Sequence, residues 1–134
     1  MSPTYPLEAR GLGKQFGDTV ALDSLDLAVP EGEVLCLLGA NGAGKTTTIN
    51  LFLGFLEADS GQALVDGIDA SKSPFEARRR IAYLPESVAL YPKLTGLENL
   101  AFFDRLAGGN RSESELGQLL DMVGLPSQAH RQLT

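Results

Sequence analysis

A glycine-rich stretch followed by lysine and threonine is the part of this 134-residue chain whose spacing most clearly implies chemistry. Gly39, Gly44, Lys45 and Thr46 match the pattern Gly-x4-Gly-Lys-Thr, in which backbone amides point inward around phosphate groups. The glycines permit a tight curl, and a helix beginning near Lys45 would add partial positive charge there. The pattern predicts a loop that binds the phosphates of a nucleoside triphosphate. A glycine-rich turn that binds no ligand is the alternative.

Each residue type in this loop has an expected task. Lys45 is expected to place its charge on the β- and γ-phosphates, and Thr46 to offer its hydroxyl to Mg²⁺. Thr47 would supply an amide or hydroxyl near the α-phosphate, and Asn41 would tolerate left-handed backbone. The predicted phosphate-binding residues are Gly39, Ala40, Asn41, Gly42, Ala43, Gly44, Lys45, Thr46 and Thr47.

The elements on either side of the loop are predicted from the hydrophobic pattern. The apolar run at residues 34–38 predicts a parallel strand buried on both faces, which places Cys36 in the interior as an inert thiol. Residues 45–55 contain no proline and predict a buried helix. Ser60 and Gly61 are expected to end this unit.

Other strands and helices are predicted around this unit. Partial alternation of apolar and polar residues predicts strands at 7–12 and 20–29 with a turn at Gly17 and Asp18, and shorter strands at 63–67 and 81–84. Capping boxes, in which serine or threonine precedes glutamate by three residues, predict three helices. They begin at Ser73, Thr95 and Ser112 and run to about Arg80, Ala107 and Val123.

This order of elements indicates an α/β fold. We expect a β region and phosphate-loop core over about residues 1–85, and a hinge loop with a helical region over about 86–134. Apolar Val88, Leu90 and Tyr91 continue through the junction, so a domain linker is not expected there.

Composition disfavours several functions. The formal net charge of −6 argues against a general nucleic-acid binder, which needs a basic patch. The basic run at 78–80 is expected to be a solvated helix face rather than a phosphate contact. The lone cysteine fits a reducing compartment, and His130, the lone histidine, is expected at the surface. No signal peptide is recognised, and the apolar stretch at 49–56 is shorter than the roughly 20 residues that span a bilayer. The protein is expected in the cytoplasm unless another chain holds it at a membrane.

The order of short motifs along the chain resembles the nucleotide-binding subunit of ABC transporters. The resemblance implies an incomplete P-loop NTPase core, preceded by an antiparallel β region and followed by the start of a helical subdomain. It also implies ATP with Mg²⁺ as ligand. The matching residues are 11–17, 20–22, 32–33, 39–47, 60–61, 67, 81–85, 90–92, 94–95 and 98–100.

Two further site residues follow from the resemblance. An aromatic residue in the place of Phe16 stacks on adenine in that family, with a valine such as Val20 beside it, which favours ATP over GTP. Packing in the core or at the sheet edge is the alternative for Phe16. Glu86 stands where the family has glutamine at the hinge, and could bind Mg²⁺ or position water. The alternative is that Glu86 is a solvated hinge residue. Glutamate at this position is similar to some members of the exporter-like branches of the family.

The resemblance also implies partners. Residues 88–94 and the helix after Thr95 would form a groove for a helix of a transmembrane subunit, which holds the protein at the inner face of the membrane. Phe102 and Phe103 are adjacent, so we expect one to be buried and the other to lie at that surface. A second nucleotide-binding subunit would complete a head-to-tail dimer.

Three family motifs needed for hydrolysis do not occur in the chain: the signature segment, the Walker B strand and the switch histidine. We therefore expect weak ATP·Mg²⁺ binding and no measurable hydrolysis by this chain alone. The first interpretation is the N-terminal part of a transporter ATPase subunit. The alternatives are a truncated non-catalytic ATP-binding module and a fragment of a soluble ABC-type ATPase, with a generic P-loop kinase least favoured.

Overall fold

An antiparallel sheet with two short helices against it forms the first part of the fold. The computed structural model describes residues 5–87 and 89–125. The chain divides into two compact units, Met1–Tyr83 and Leu84–Thr134. Val88 and His130, predicted as a groove residue and a surface residue, lie outside the described residues.

The sheet of the first unit has the strand order β2-β1-β3-β4. β1 and β2 are joined by a tight turn at Gly17 and Asp18, and Phe16 pairs with Thr19 across it. The hairpin is longer than the predicted strands but lies where they were predicted. The four strands are β1 (Leu7–Phe16), β2 (Thr19–Val29), β3 (Ser60–Val65) and β4 (Ile68–Asp69).

A close backbone approach explains why β3 begins earlier than predicted. Ser60 and Gly61 belong to β3 instead of ending the preceding unit. A Cβ at Gly61 would lie 2.2 Å from the Gly11 carbonyl oxygen, and Gly61 has a φ of 70°. Only glycine fits this approach, where the register between β1 and β3 shifts.

Two helices cover one part of this sheet. α1 (Lys45–Phe52) and α2 (Pro74–Arg78) begin where the sequence predicts helices, although both end earlier. Their buried side chains pack with apolar residues of β1 and β3 because each element leaves one apolar face to cover. The buried core comprises Ala9, Leu12, Leu51, Phe52, Ala63, Val65, Ala70 and Ala77.

The start of α2 differs in detail from the prediction. Ser73 is at the N-cap with Pro74 next, but the Ser73 side chain makes no capping hydrogen bond, so the predicted capping box is not formed. Arg78 is not simply solvated. Its guanidinium donates to the carbonyls of Leu53 at 3.1 Å and Gly54 at 3.3 Å, just after α1 ends. A cation at the carboxyl end of a helix is favourable.

The second unit contains α3 (Gly96–Leu106) and α4 (Glu113–Met122). Both predicted capping boxes are present, with the Thr95 amide donating to Glu98 and the Ser112 amide donating to Glu115, each at 2.7 Å. The helices pack through buried Leu97 and Leu116, with Leu100, Ala101 and Leu120 around them.

The connection between α3 and α4 is held by the buried carboxylate of Asp104. It pairs with the guanidinium of Arg111 and accepts from the Arg111 amide at 3.0 Å. The amide hydrogen bond is the main reason that the pKa of Asp104 is lowered. A Cβ at Gly109 would touch this carboxylate, so a small residue is required there.

Two predicted strands, at 34–38 and 81–84, are wrong. Neither is a strand, and Val34 and Leu38 are about nine-tenths exposed. Cys36, predicted to be buried, is also exposed. A parallel strand forms only when it pairs with neighbouring strands, and no strand among residues 5–87 and 89–125 pairs with either segment.

No helix among residues 5–87 and 89–125 is long and apolar enough to cross a membrane.

Asn99 is the buried polar anchor of the second unit. Its Oδ1 accepts from the Tyr91 amide at 2.8 Å, and its Nδ2 lies 3.1 Å from the Tyr91 carbonyl and 3.0 Å from the Thr95 carbonyl. One side chain therefore satisfies backbone groups of the segment before α3, which has little regular structure of its own.

Replacing Asn99 with alanine is expected to lower the free energy of unfolding by about 2 kcal/mol, because partly buried backbone groups lose their partners. Urea unfolding followed by circular dichroism measures this, and hydrogen exchange of the Tyr91 amide should become faster. Asn110→Ala, at an exposed residue, is the control and should change little. Equal effects of the two substitutions would contradict the anchoring role.

Candidate functional site

The segment from Gly39 to Gly44 turns tightly before α1. Gly42 and Gly44 have φ values of 85° and 82°, and the Ala43 amide donates to the Ala40 carbonyl at 3.1 Å. Asn41 does not have a positive φ, so the left-handed backbone that it was expected to tolerate does not occur at this residue. Glycine carries both left-handed positions because it has no Cβ to clash with the following carbonyl.

Gly44 joins the loop to β2. A Cβ at Gly44 would lie 2.4 Å from the Ala21 carbonyl oxygen and 2.8 Å from Leu22 Cδ2, closer than any side chain allows. Gly44 is buried, whereas Gly39 to Ala43 are exposed. The loop therefore projects from an anchored end, with its backbone accessible.

Lys45 folds back over the loop that precedes it. Its Nζ donates to the Gly39 carbonyl at 2.5 Å and to the Ala40 carbonyl at 2.8 Å. The predicted phosphate-binding lysine is thus brought to the start of the loop. These neutral carbonyls are weaker partners for an ammonium than a charged oxygen would be.

Thr48 is a supporting residue that the sequence analysis did not single out. It is buried, and its amide and hydroxyl both contact the Gly44 carbonyl, at 2.8 Å and 2.9 Å. It fastens the first turn of α1 to the loop. Thr46 is exposed and Thr47 half-buried on the same turn. Three consecutive threonines gave no signal that the third would point inward.

The turn between β1 and β2 carries the two residues predicted to contact the base. Phe16 and Val20 are 47% and 59% exposed, so Phe16 is not packed in a core. Both are available to a ligand, which leaves the predicted stacking untested. Lys14 Nζ lies over the Phe16 ring, 5.6 Å from its centroid, a contact that was not predicted.

Residues 22–134 match the family model described as ABC transporter. The chain belongs to the ABC transporter family. It is 41% identical over 125 residues to the probable multidrug ABC transporter ATP-binding protein YbhF of Escherichia coli. It is 41% identical over 133 residues to the daunorubicin/doxorubicin resistance ATP-binding protein DrrA of Streptomyces peucetius.

Other members of the ABC transporter family that match this chain are named for different substrates. The spermidine/putrescine import ATP-binding protein PotA of Nitrosomonas europaea is 38% identical over 127 residues. Matches to YbhF, DrrA and PotA cover 92%, 98% and 93% of this chain but only 22%, 40% and 35% of the relatives. A solved ATP-binding subunit of an ABC transporter superposes with a TM-score of 0.77 at 31% identity, covering 94% of this chain and 53% of that one.

Glu86, predicted to act at the hinge, is exposed and belongs to the second unit, whereas the loop belongs to the first. Among residues 5–87 and 89–125, no group of three or more histidine, cysteine or acidic residues could hold a metal ion. The role of Glu86 stays a prediction.

The aromatic residues of the second unit do not divide as predicted. Phe102 and Phe103 are 39% and 38% exposed, so the expectation of one buried and one exposed ring is wrong. Both pack against Tyr91, with ring centroids 5.0 Å and 6.4 Å away. Because Tyr91 shields both, the three rings form one half-exposed aromatic cluster.

Alanine substitution at the two left-handed glycines is expected to separate conformational strain from steric clash. Gly42→Ala should cost about 1 kcal/mol of stability, because no atom lies within 4 Å of its Cβ position and only the backbone conformation is disfavoured. Gly44→Ala should cost about 3 kcal/mol, because the contact with Ala21 is added. Urea unfolding of both variants tests this. Equal losses would show that Gly44 is not seated against β2.

Proposed function

We propose that this chain is the ATP·Mg²⁺-binding part of an ABC transporter ATPase subunit, which couples ATP binding and hydrolysis to transport through a membrane partner. The loop from Gly39 to Thr46 carries the proposal. It is anchored at buried Gly44, exposed from Gly39 to Ala43 and reached by the Lys45 ammonium. A turn that only connected two elements would not need a lysine folded over its carbonyls.

The loop fits a chain of phosphates. Left-handed glycines alternating with other residues orient successive amides toward one concave side, which suits anionic oxygens. α1 begins at Lys45, directly after the loop, and the unpaired amides of its first turn would add hydrogen-bond donors and partial positive charge. Charged phosphate oxygens would make stronger partners for Lys45 than the carbonyls of Gly39 and Ala40. Lys45 would therefore turn to the β- and γ-phosphates.

The base would lie on the hairpin side of this loop. Gly44 contacts Ala21, and Ala21 directly follows Val20 in β2, so the loop and the base-contacting residues share one strand. The half-exposed Phe16 ring offers a stacking surface, which tolerates any base. No guanine-reading motif was found in the sequence, and adenine is the proposed base.

Thr46 is the residue of the first unit that would hold Mg²⁺. When bound, Mg²⁺ would neutralise negative charge that develops on the phosphates during phosphoryl transfer. The role of the chain itself would be to hold the phosphates in place through Lys45 and the loop amides.

A membrane subunit is the proposed partner of the second unit, and the aromatic cluster of Tyr91, Phe102 and Phe103 supports this. Half-exposed aromatic rings are enriched where proteins meet partners. The nucleotide-binding subunit that contains this chain would bind peripherally at the inner face of the membrane. It would pair with a second nucleotide-binding subunit. Relatives named for multidrug and daunorubicin resistance favour export as the direction of transport.

The test is calorimetric titration of the chain with ATP, with and without Mg²⁺, repeated on Lys45→Ala. We expect Lys45→Ala to weaken ATP binding at least tenfold, because a charge-assisted contact contributes about 1.5–3 kcal/mol. Lys72→Ala is the control, since Lys72 is an exposed lysine that pairs with Asp69 in its own turn.

Equal ATP affinity of the unaltered chain and Lys45→Ala would refute the proposed site. A loss in Lys72→Ala as large as that in Lys45→Ala would also refute it, because the effect would then come from general charge. The same samples are expected to show no ATP hydrolysis, and turnover comparable with that of a full-length homologous subunit would contradict the expectation for this chain.

A further inference from the structure

We propose that Lys14, held by Asp59, is a positioning residue that fixes the Phe16 ring for the adenine base. The inference rests on the proposed ATP site and adds a determinant of base affinity to it. Lys14 precedes Phe16 by two residues on β1, and Asp59 immediately precedes β3.

The Lys14 side chain is unusually buried for a lysine on a sheet. Its Nζ lies 5.6 Å from the centroid of the Phe16 ring and 2.9 Å from Asp59 Oδ1. Only 14% of the Lys14 side chain is exposed, although most lysine side chains are largely exposed to solvent. An ammonium over an aromatic face is attracted by the π electrons of the ring.

Asp59 holds the same stretch of β1 through its backbone as well. Asp59 Oδ2 accepts from the Gln15 amide at 2.7 Å, and the Asp59 amide donates to the Gly13 carbonyl at 3.0 Å. The hydrogen bond from the Gln15 amide, followed by that from the Lys14 ammonium, lowers the pKa of Asp59. The carboxylate is therefore ionised at neutral pH and keeps Lys14 in place.

The backbone that follows Phe16 is held by the side chain of Gln15. Its Nε2 donates to the Gly17 carbonyl at 2.7 Å, which closes the turn after the ring. Both neighbours of Phe16 along the chain are thus restrained, and Lys14 lies over the ring itself. A ring that is already oriented loses less conformational freedom when a base stacks on it.

A shallow cavity places Lys14 and Asp59 beside Val20, one of the two proposed base-binding residues. The cavity has a volume of about 240 Å³ and is lined by Lys14, Val20 and Asp59 among others. Lys14 can occupy only one face of the Phe16 ring, and the ring is 47% exposed. We infer that the base uses the face that the ammonium leaves open.

The test compares a ligand that has a base with one that has none. Calorimetry measures ATP and inorganic tripolyphosphate binding to the unaltered chain, Lys14→Met, Lys14→Arg and Asp59→Asn. Methionine keeps an apolar stem and removes the charge, and arginine keeps the charge. Lys72→Met is the matched control at an exposed lysine.

We expect Lys14→Met and Asp59→Asn to weaken ATP binding about two- to fivefold, the size of an exposed cation–π contact. Tripolyphosphate affinity should not change, and Lys14→Arg should retain ATP affinity. A loss for Lys14→Met that is equal for both ligands would mean general structural damage and would overturn the inference. An unchanged ATP affinity would also overturn it.

Fluorescence supplies a second measurement, because the chain contains no tryptophan. Phe16→Trp introduces one reporter at the ring, and adding Lys14→Met should lower its anisotropy and reduce its quenching by ATP. Identical signals with and without Lys14→Met would contradict the positioning role. If the unaltered chain shows no Lys45-dependent binding of either ligand, the proposed function fails and this inference fails with it. If such binding is present and Lys14 has no effect, only this inference fails.

Discussion

The contact between Gly44 and the Ala21 carbonyl is the constraint on which the site depends. A Cβ at Gly44 would lie 2.4 Å from that oxygen, so the amino end of α1 can approach β2 only because residue 44 has no side chain. β2 is the hairpin partner of β1, and the turn between them carries Phe16 and Val20. One steric contact thus links the phosphate loop to the residues proposed to meet the base.

The site needs little net positive charge. The chain carries a formal charge of −6, yet the proposed site draws only on the backbone amides of the loop, the amino end of α1 and Lys45. Backbone dipoles are fixed by the fold and lose no side-chain entropy when a ligand binds. These properties would let an acidic member of the ABC transporter family bind a polyanion, and they allow the role of Lys45 to be tested separately from that of overall charge.

The features that were predicted best from the sequence are those determined by residues close together along the chain. The hairpin turn, the start of α1 and the capping boxes at Thr95 and Ser112 depend on residues within four positions of one another, and all are present. Residues 34–38 were predicted wrongly because an apolar run becomes a strand only beside other strands. The Lys14–Asp59 pair was missed because its members are 45 residues apart and meet only when β1 pairs with β3.

The central claim is that the loop binds a triphosphate through its own backbone, and amide chemical shifts test it most directly. In a titration of the ¹⁵N-labelled chain with ATP, we predict saturable shifts of the amides of Gly42, Gly44, Lys45 and Thr46. The shifts should be similar with tripolyphosphate, because these amides meet the phosphates and not the base. Loop amides that stay unchanged while ATP shifts resonances elsewhere, or no saturable shift anywhere, would contradict the account.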